Sequence, residues 1–351
     1  MKRIAFFLSS LIMGLSIIDC TSIPDKKNSN LGVTWTIVDE AFGSAIHDIA
    51  YGNGMFVAVT SNGEIVYSND GISWAVAGEF KGNTLYSIAY GGNRFVAGGS
   101  RGILLYSDDG INWTKLPDSP FEIPYGVKEI AYAGGRFFAG TYGGDIPYSN
   151  EMAYSDDGIN WTAFTPPPRY GIRNITYGGG RFVATSVWNT ILYSNDGIHW
   201  TDINIREVAP QVRFGYTYNG SIGDITYGDD KFVAVGSYID NMSIATGGRI
   251  VISSDGINWS GVSSGVLDNI FVGEKGINNI AYGGNRFVAA GDKYVIAYSD
   301  DGINWTASAS PFSAPSQYSG LRINCIAYGN GKFVVGWGYR DVGRIAYSPA
   351  N

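Results

Sequence analysis

The segment YSDDGINWT occupies residues 106–114, and the same nine residues recur at 154–162 and 298–306. Its central pattern, Ser-x-Asp-Gly-x-x-Trp, occurs six times, and we refer to each copy as a DG turn. The copies are SNDGISW (68–74), SDDGINW (107–113), SDDGINW (155–161), SNDGIHW (194–200), SSDGINW (253–259) and SDDGINW (299–305). Recurrence at a nearly fixed spacing indicates a repeat architecture.

A second repeated element precedes each DG turn. It consists of IAY or ITY, a glycine-rich turn and a run such as RFVAG, and a seventh copy at 326–336 has no DG turn after it. Tyr51 in the first copy and Tyr328 in the last are 277 residues apart, which gives six intervals of about 46 residues. Each unit has the pattern of four short strands, namely IAY, RFVAG, ILYS and the segment opening with NWT. Four antiparallel strands per ~45 residues are typical of a β-propeller blade.

The two ends of the repeat array complement each other. The seventh unit ends in RIAYSPAN and lacks a fourth strand, whereas Trp35-Thr36 near the N-terminus matches the Trp-Thr of the fourth strands. We therefore predict an all-β, seven-bladed β-propeller of four-stranded antiparallel blades over residues 33–351. The N-terminal strand is expected to complete the last blade as its outermost strand, because closure leaves no blade edge exposed.

Composition agrees with this fold and excludes one class of partner. Glycine accounts for 49 of the 351 residues and charged residues for only 16%, which favours short strands joined by tight turns. The formal net charge is −7. A nucleic-acid-binding protein needs a basic surface to displace counterions, so we expect no nucleic-acid partner.

The DG turns resemble the Asp-box of sialidases and of many other propellers, although each is one residue shorter. The resemblance implies a turn between the third and fourth strands of a blade, and it is informative about fold rather than activity. Aspartate can accept backbone N–H groups within such a turn, and tryptophan buries a large ring. Six equivalent copies cannot form one active site, so we predict structural roles for them, with calcium in the turns as the alternative. The residues concerned are Asp70, Asp109, Asp157, Asp196, Asp255, Asp301, Trp74, Trp113, Trp161, Trp200, Trp259 and Trp305.

The N-terminus has the features of a targeting segment. Lys2 and Arg3 precede an uncharged run at residues 4–18, which is too short to span a bilayer. Cys20 and a polar stretch follow, and the arrangement resembles a bacterial lipoprotein signal. The resemblance implies a signal peptide at residues 1–19 and a lipidated Cys20 with a flexible tether up to residue 32. Ile18 and Asp19 depart from the small residues expected before such a cysteine, and simple secretion is the alternative.

Variation in loop length is confined to one face of the expected propeller, which we call the insertion face. Insertions follow the second strands at 141–152 and 236–248, and they separate blades at 116–127, 163–172, 202–221, 261–276 and 307–322. Variable loops on a rigid scaffold are where binding sites are built. Tyrosine, tryptophan and arginine there suit recognition of a protein or a glycan. The candidate ligand-binding residues are Tyr142, Tyr148, Arg169, Tyr170, Trp188, Arg213, Tyr216, Tyr238, Tyr294, Arg322, Trp337 and Arg340.

Catalytic chemistry receives little support from the sequence. A sialidase-type glycoside hydrolase is the alternative function, since the insertion face offers arginines, but the early Arg-Ile-Pro element of that family is absent. No His/Cys cluster, Ser-His-Asp order or phosphate loop is visible, and we expect no cofactor, no metal and no catalytic residue. Cys325 occupies a strand position held by Asp48 and Ser87 in other repeats, so we interpret it as an inert strand residue.

These observations predict an exported, lipid-anchored propeller that acts by binding or scaffolding rather than by catalysis. The expected location is the bacterial cell envelope, anchored at the outer membrane or cell surface, or the periplasm or medium if Cys20 is not lipidated. The expected partner is a protein or a glycan held on the insertion face. Contact with the membrane is expected only through the lipid, and the protein is expected to be monomeric.

Overall fold

Each sequence repeat folds into a four-stranded antiparallel sheet, and seven such sheets form a β-propeller. The structure is a computed structural model that describes residues 30–39, 42–121, 126–141, 151–164, 172–186, 189–210, 212, 222–239, 245–271, 276–309, 322–339 and 342–349. Strands are numbered β1 to β28 along the chain. The seven-bladed architecture predicted from the repeats is confirmed.

The first strand of every blade lies innermost, because these strands contact one another around the ring. They are β2 (Ile46–Gly52), β6 (Leu85–Gly91), β10 (Val127–Ala133), β14 (Ile172–Gly178), β18 (Ile222–Gly228), β22 (Ile277–Gly283) and β26 (Ile323–Gly329). The second strands are β3 (Met55–Thr60), β7 (Arg94–Gly99), β11 (Arg136–Thr141), β15 (Arg181–Ser186), β19 (Lys231–Ile239), β23 (Arg286–Gly291) and β27 (Lys332–Tyr339).

The third and fourth strands complete each blade towards the outside. The third strands are β4 (Glu64–Ser68), β8 (Leu104–Ser107), β12 (Met152–Ser155), β16 (Thr190–Ser194), β20 (Ala245–Ser253), β24 (Ile296–Ser299) and β28 (Val342–Tyr347). The fourth strands are β5 (Ala75–Glu79), β9 (Thr114–Lys115), β13 (Thr162–Phe164), β17 (Thr201–Asn204), β21 (Ser260–Gly261), β25 (Thr306–Ala307) and, for the seventh blade, β1 (Thr36–Ile37).

The helical structure among the described residues is short and lies in connections between strands. A 3-10 turn (Ser100–Gly102) joins the second and third strands of blade 2. The helices α1 (Ile205–Val208) and α2 (Ser264–Ile270) lie within two of the interblade insertions. The hydrophobic core lies between neighbouring blades. One cluster, for example, packs Val183 and Ile191 of blade 4 against Ile222 and Phe232 of blade 5.

The DG turns connect the third and fourth strands and close on themselves through the same hydrogen bonds in six blades. In blade 2, the Ser107 hydroxyl donates to Asp109 Oδ1 (3.0 Å) and accepts the Gly110 amide (2.8 Å). Asp109 Oδ1 also accepts the amides of Ile111 (2.9 Å) and Asn112 (2.7 Å). These turns and the glycine turns after the innermost strands share one face of the ring, which we call the DG-turn face. The insertion face is opposite.

The seventh blade contains a seventh turn, split between the two ends of the chain. Residues 30–35 read NLGVTW, which aligns with NDGISW at 69–74 in the first DG turn. Gly32 has a φ of 72°, close to the 73° of the equivalent Gly71. Arg286 Nη1 donates to the Leu31 carbonyl (2.6 Å), as Arg94 Nη1 donates to the carbonyl of Asp157 in the next DG turn. The structure therefore folds residues 30–32, which the sequence reading assigned to the tether, into the propeller. β1 pairs with β28 as the predicted closure strand.

Candidate functional site

Every innermost strand carries a β-bulge at the same position. The pairing with the second strand shifts between Ile46 and Asp48 in blade 1, and between the equivalent residues of the other six blades. A bulge leaves one residue outside the regular ladder and bends the strand. The seven bulged residues, which we call the bulge ring, are His47, Tyr86, Lys128, Arg173, Gly223, Asn278 and Asn324. The residues that follow them, the inner belt, are Asp48, Ser87, Glu129, Asn174, Asp224, Asn279 and Cys325.

The bulge ring lines a cavity of about 950 Å³ at the centre of the propeller, which we call the channel mouth. Ser61, Asp292 and Gly338, at the ends of second strands, contribute to the same wall. The innermost strands begin where the interblade insertions end, so the mouth opens on the insertion face. All seven inner-belt residues line a smaller cavity of about 230 Å³ that also borders the bulge ring. Successive residues of one strand therefore face the same central space.

Most of the hydrogen bonds described for inner-belt side chains connect neighbouring blades. Asp48 Oδ2 accepts the amide of Ile88 (2.9 Å) and the hydroxyl of Ser87 (2.9 Å), both in the next blade. Asp224 Oδ2 accepts the amide of Ile280 in the same way (2.8 Å). These side chains satisfy buried backbone groups across the blade seams, which is a structural role.

Glu129 differs from the other two carboxyl groups of the inner belt. It is one methylene longer than the aspartates, its carboxyl group has no hydrogen bond with the described residues, and its part-buried side chain borders the channel. Burial, together with the charges of Asp48 and Asp224, raises the pKa of Glu129 well above its ordinary value. Burial also raises the pKa of Asp48 to about 6 and that of Asp224 to about 7. Carboxylates of blades 1, 3 and 5 thus share the inner belt.

The rim of the mouth carries positive charge and an aromatic stack. The rings of His47 and Tyr86 stack with their centroids 5.9 Å apart, and Lys128 Nζ lies 3.0 Å from the centroid of the Tyr86 ring. His47 Nδ1 lies 2.8 Å from the Leu85 carbonyl, so Nδ1 carries the proton and Nε2 is left as an acceptor. Burial, followed by the charges of Lys128 and Arg322, lowers the pKa of His47. The imidazole is therefore neutral near pH 7 beside two cations.

The sequence-predicted binding residues occupy different environments. Arg322 is exposed at the channel mouth, where its Nε donates to Asn324 Oδ1 (3.4 Å). Tyr294 and Trp337 are buried, with centroids 5.9 Å apart in an edge-to-face contact, so they pack blade 6 against blade 7 and present little surface to a ligand. Tyr238 lies on β19. The remaining candidates, Tyr142, Tyr148, Arg169, Tyr170, Trp188, Arg213, Tyr216 and Arg340, lie outside the described residues, as does Cys20.

Sequence reasoning missed the bulge ring, although a signal for it is present. The residue two positions before IAY or ITY changes from repeat to repeat (His, Tyr, Lys, Arg, Gly, Asn, Asn), while the residue before it is always Ile, Leu or Val and the IAY or ITY itself is nearly constant. A variable position inside a uniform strand indicates a surface that the scaffold does not need for packing. The sequence prediction places the variable part of the insertion face in its loops alone.

Other chemistry near the axis is limited. Cys325 is buried, and burial followed by the charge of Asp48 raises its pKa well above the ordinary thiol value, which keeps the sulfur protonated. Within the described ranges, no group of three or more His, Cys, Asp or Glu side chains could hold a metal ion. Of the helices described, none is long and apolar enough to cross a membrane.

Comparison with known proteins supports the propeller fold and identifies neither a family nor a function. No family profile and no characterised protein sequence matches the chain. Among solved structures, it is similar to one described as YCF48 bound to D1 peptide, with 18% identity, a TM-score of 0.63 and coverage of 90% of this chain and 97% of that one. YCF48 from Cyanidioschyzon merolae gives 18% identity, a TM-score of 0.61 and coverage of 90% and 99%. The extracellular domain of a one-component system from B. thetaiotaomicron gives 12% identity and a TM-score of 0.63, over 91% of this chain and 40% of that one.

Proposed function

We propose that the protein is a non-enzymatic binding propeller that takes a protein partner on its insertion face, centred on the channel mouth. The observation that carries this proposal is the bulge ring, in which seven equivalent positions hold different side chains around one cavity. A cavity with a few converging polar groups is the default binding site of a protein of unknown function. Tyr86 and Arg322 are of residue types that are enriched at protein interfaces, and Lys128 adds a positive charge beside them.

The similar structures support a protein partner over a glycan. One of them is described with a bound peptide, and its similarity extends over nearly the whole chain. At that identity the likeness concerns the fold, so the identity of the partner does not transfer. The DG turns also support kinship with Asp-box propellers, since the Ser, Asp and Gly bonds recur in all six turns. The Trp Nε1 donates to the Gly carbonyl in five of them, all except that of Trp74.

Capture from the cell envelope tests the binding proposal. Purified protein is immobilised and incubated with solubilised envelope proteins, and captured proteins are compared between the wild type and a Lys128→Ala/Arg322→Ala double variant. We expect a specific protein that the double variant loses, whereas Glu79→Gln, on the outermost strand of blade 1, retains it. Turnover of fluorogenic sialosides or aryl glycosides, abolished by the double variant, would instead establish a glycoside hydrolase. Capture of glycan alone would exclude the protein partner.

We further propose that the chain is exported and anchored through a lipid on Cys20, with the partner met in the cell envelope. The support is the order of Lys2, Arg3, the uncharged run at residues 4–18 and Cys20. Cys20→Ser is expected to move the protein from the membrane to the soluble fraction, because the lipid supplies the membrane affinity. Cys325→Ser, at the other cysteine, is the control and should leave partitioning unchanged. Unaltered membrane partitioning of Cys20→Ser would remove the anchor from the proposal.

A further inference from the structure

The central channel carries cationic side chains and carboxyl groups in two successive layers. The bulge ring and the adjoining rim hold Lys128, Arg173 and Arg322 at the channel mouth. The inner belt, one residue further along the same strands, holds Asp48, Glu129 and Asp224 around the smaller cavity. The bulges create this arrangement, because they let neighbouring residues of one strand line the same channel. A ligand that suits both layers carries an anionic group for the rim and a cationic group for the belt, because a nearby cation favours the ionised form of a carboxyl group.

Glu129 indicates where the positive charge of that ligand would lie. Its side chain is part-buried and borders the channel, its carboxyl group has no hydrogen-bond partner among the described residues, and two further carboxyl groups line the same small cavity. A buried carboxylate without hydrogen bonds is costly. A cation delivered along the axis would supply both the missing donors and the missing charge.

The bonds that the carboxyl groups already make help to select among cations. These side chains do not form a group that could hold a metal ion. Two of them, Asp48 and Asp224, already accept backbone amides of the neighbouring blades. A guanidinium presents five N–H donors in a planar fork, so it can bond to Glu129 and still reach a second carboxylate. An ammonium is a compact point charge and bridges separated acceptors less well.

We propose that the channel binds the C-terminal arginine of a peptide or protein, with the guanidinium on Glu129 in the inner belt and the terminal carboxylate at the cationic rim. Lys128 and Arg322, beside the neutral His47, are the groups that contact the carboxylate. The inference rests on the proposed binding function and names the chemistry that the channel mouth recognises.

Three small peptides test this assignment by isothermal titration calorimetry with the purified protein. Glycyl-arginine carries both charges, glycyl-citrulline replaces the guanidinium with a neutral group of similar shape, and glycyl-argininamide lacks the carboxylate. We expect glycyl-arginine to bind at least about tenfold more tightly than either analogue, since each loses a charge-assisted contact. Glu129→Gln should weaken binding of glycyl-arginine by about tenfold and leave glycyl-citrulline unaffected. Glu79→Gln, a glutamate outside the channel, should change neither.

A second variant tests whether the rim contacts the terminal carboxylate of the peptide. Lys128→Met should weaken binding of glycyl-arginine but not of glycyl-argininamide, because the amide has no carboxylate to lose. Equal affinity for the arginine and citrulline peptides, no effect of Glu129→Gln, or no binding of glycyl-arginine would each overturn the assignment. If envelope capture depends on Lys128 and Arg322 but not on Glu129, the proposed binding function stands. Only the recognition of a C-terminal arginine is then excluded. Glu129 makes no hydrogen bond that glutamine would break, so its variant is expected to fold.

Discussion

Asp108 and Asp109 are adjacent in one DG turn, but their contacts differ. Asp109 holds the turn together through the Ser107 hydroxyl and two backbone amides, and its Oδ2 accepts the Asn112 side chain (2.7 Å). The bonds from Asn112, followed by that from Ile111, hold the pKa of Asp109 well below its usual range. Asp108 is exposed and, among the described residues, its carboxylate pairs with Arg94 (2.6 Å). The turn therefore depends on the second aspartate.

Asp109→Ala should lower the free energy of unfolding by about 1–3 kcal/mol, because the amides of Ile111 and Asn112 lose their acceptor. Asp108→Ala, the matched control, should cost less than about 1 kcal/mol, as is usual for an exposed ion pair. Urea denaturation of both variants measures the difference. Equal losses would mean that the carboxylate does not organise the turn.

At the scale of the strand, the tyrosine of IAY packs against the glycine that ends the innermost strand of the preceding blade. A Cβ added to Gly91 would lie 2.0 Å from the ring of Tyr132. Blade 3 is the exception, since Ala133 occupies the glycine position, and Tyr177 of the next blade is 41% exposed. The close approach of ring to backbone explains why the repeat reads IAYG rather than IAYA.

Gly91→Ala is therefore expected to lower the free energy of unfolding by about 1–3 kcal/mol through overpacking, and to expose Tyr132 as Tyr177 is exposed. Gly43→Ala is the control, because no atom lies within 4 Å of the added carbon. Urea denaturation gives the first quantity, and accessibility of the tyrosine to nitration gives the second. If Gly91→Ala left the free energy of unfolding unchanged, the contact between the two blades would be able to accommodate the added methyl group.

The blades and turns that repeat in the sequence could be predicted, and the turn that departs from the repeat could not. Six DG turns are identical in their key residues, so sequence sufficed for the blades and their number. The seventh turn was missed, except for its Trp35-Thr36, because Leu31 replaces the aspartate and the turn is divided between distant ends of the chain. Leu31 is buried, so packing takes the place of the hydrogen bonds there.

The candidate site was predicted less well, because it depends on which residues meet across blades. Residue type alone places Tyr294 and Trp337 on a binding surface. The two rings lie 43 positions apart in the sequence, but in the fold they pack edge to face and bury each other. His47, Tyr86 and Lys128 come from three different repeats, and only the ring closure places them together. Arg322 was predicted at the insertion face and lies at the channel mouth, but whether it contacts a ligand stays a prediction.

At the scale of the whole molecule, two sets of carboxyl groups act oppositely on stability as pH changes. The DG-turn aspartates have lowered pKa values, so they add stability that is lost as pH falls below about 4. Asp48 and Asp224 have pKa values raised to about 6 and about 7, so the folded state holds their protons more tightly than the unfolded state. Their contribution is present at low pH and is lost as pH rises through those values.

We expect the free energy of unfolding to be highest near pH 4–5 and to fall by a few kcal/mol towards pH 8, since one unit of pKa shift corresponds to about 1.4 kcal/mol. Glu129→Gln removes one of the three interacting carboxyl groups and should flatten this decline, whereas Glu79→Gln should preserve it. Urea denaturation across the pH range gives both curves. Rising stability between pH 5 and 8 would contradict the buried state of the belt.

The split seventh turn also decides where the N-terminal segment leaves the propeller. Leu31 and Gly32 occupy a turn position on the DG-turn face, whereas the channel mouth opens on the opposite face. Nine residues separate Cys20 from Asn30, and they span at most about 30 Å. If the proposed lipid is attached to Cys20, the DG-turn face lies towards the anchoring membrane and the channel mouth points away from it. A partner would then approach from the side opposite the anchor.

Single-cysteine labelling measures this orientation. A fluorophore on Asn69→Cys, in a DG turn, should be quenched more strongly by vesicle lipids with spin-labelled headgroups than one on Arg322→Cys, at the channel mouth. Cys325 is buried and is expected to stay unlabelled. Adding Cys20→Ser should abolish quenching at both positions, because no anchor holds the protein at the surface. Stronger quenching at position 322 would place the mouth against the membrane, and a partner would then have to be sought within the bilayer surface itself.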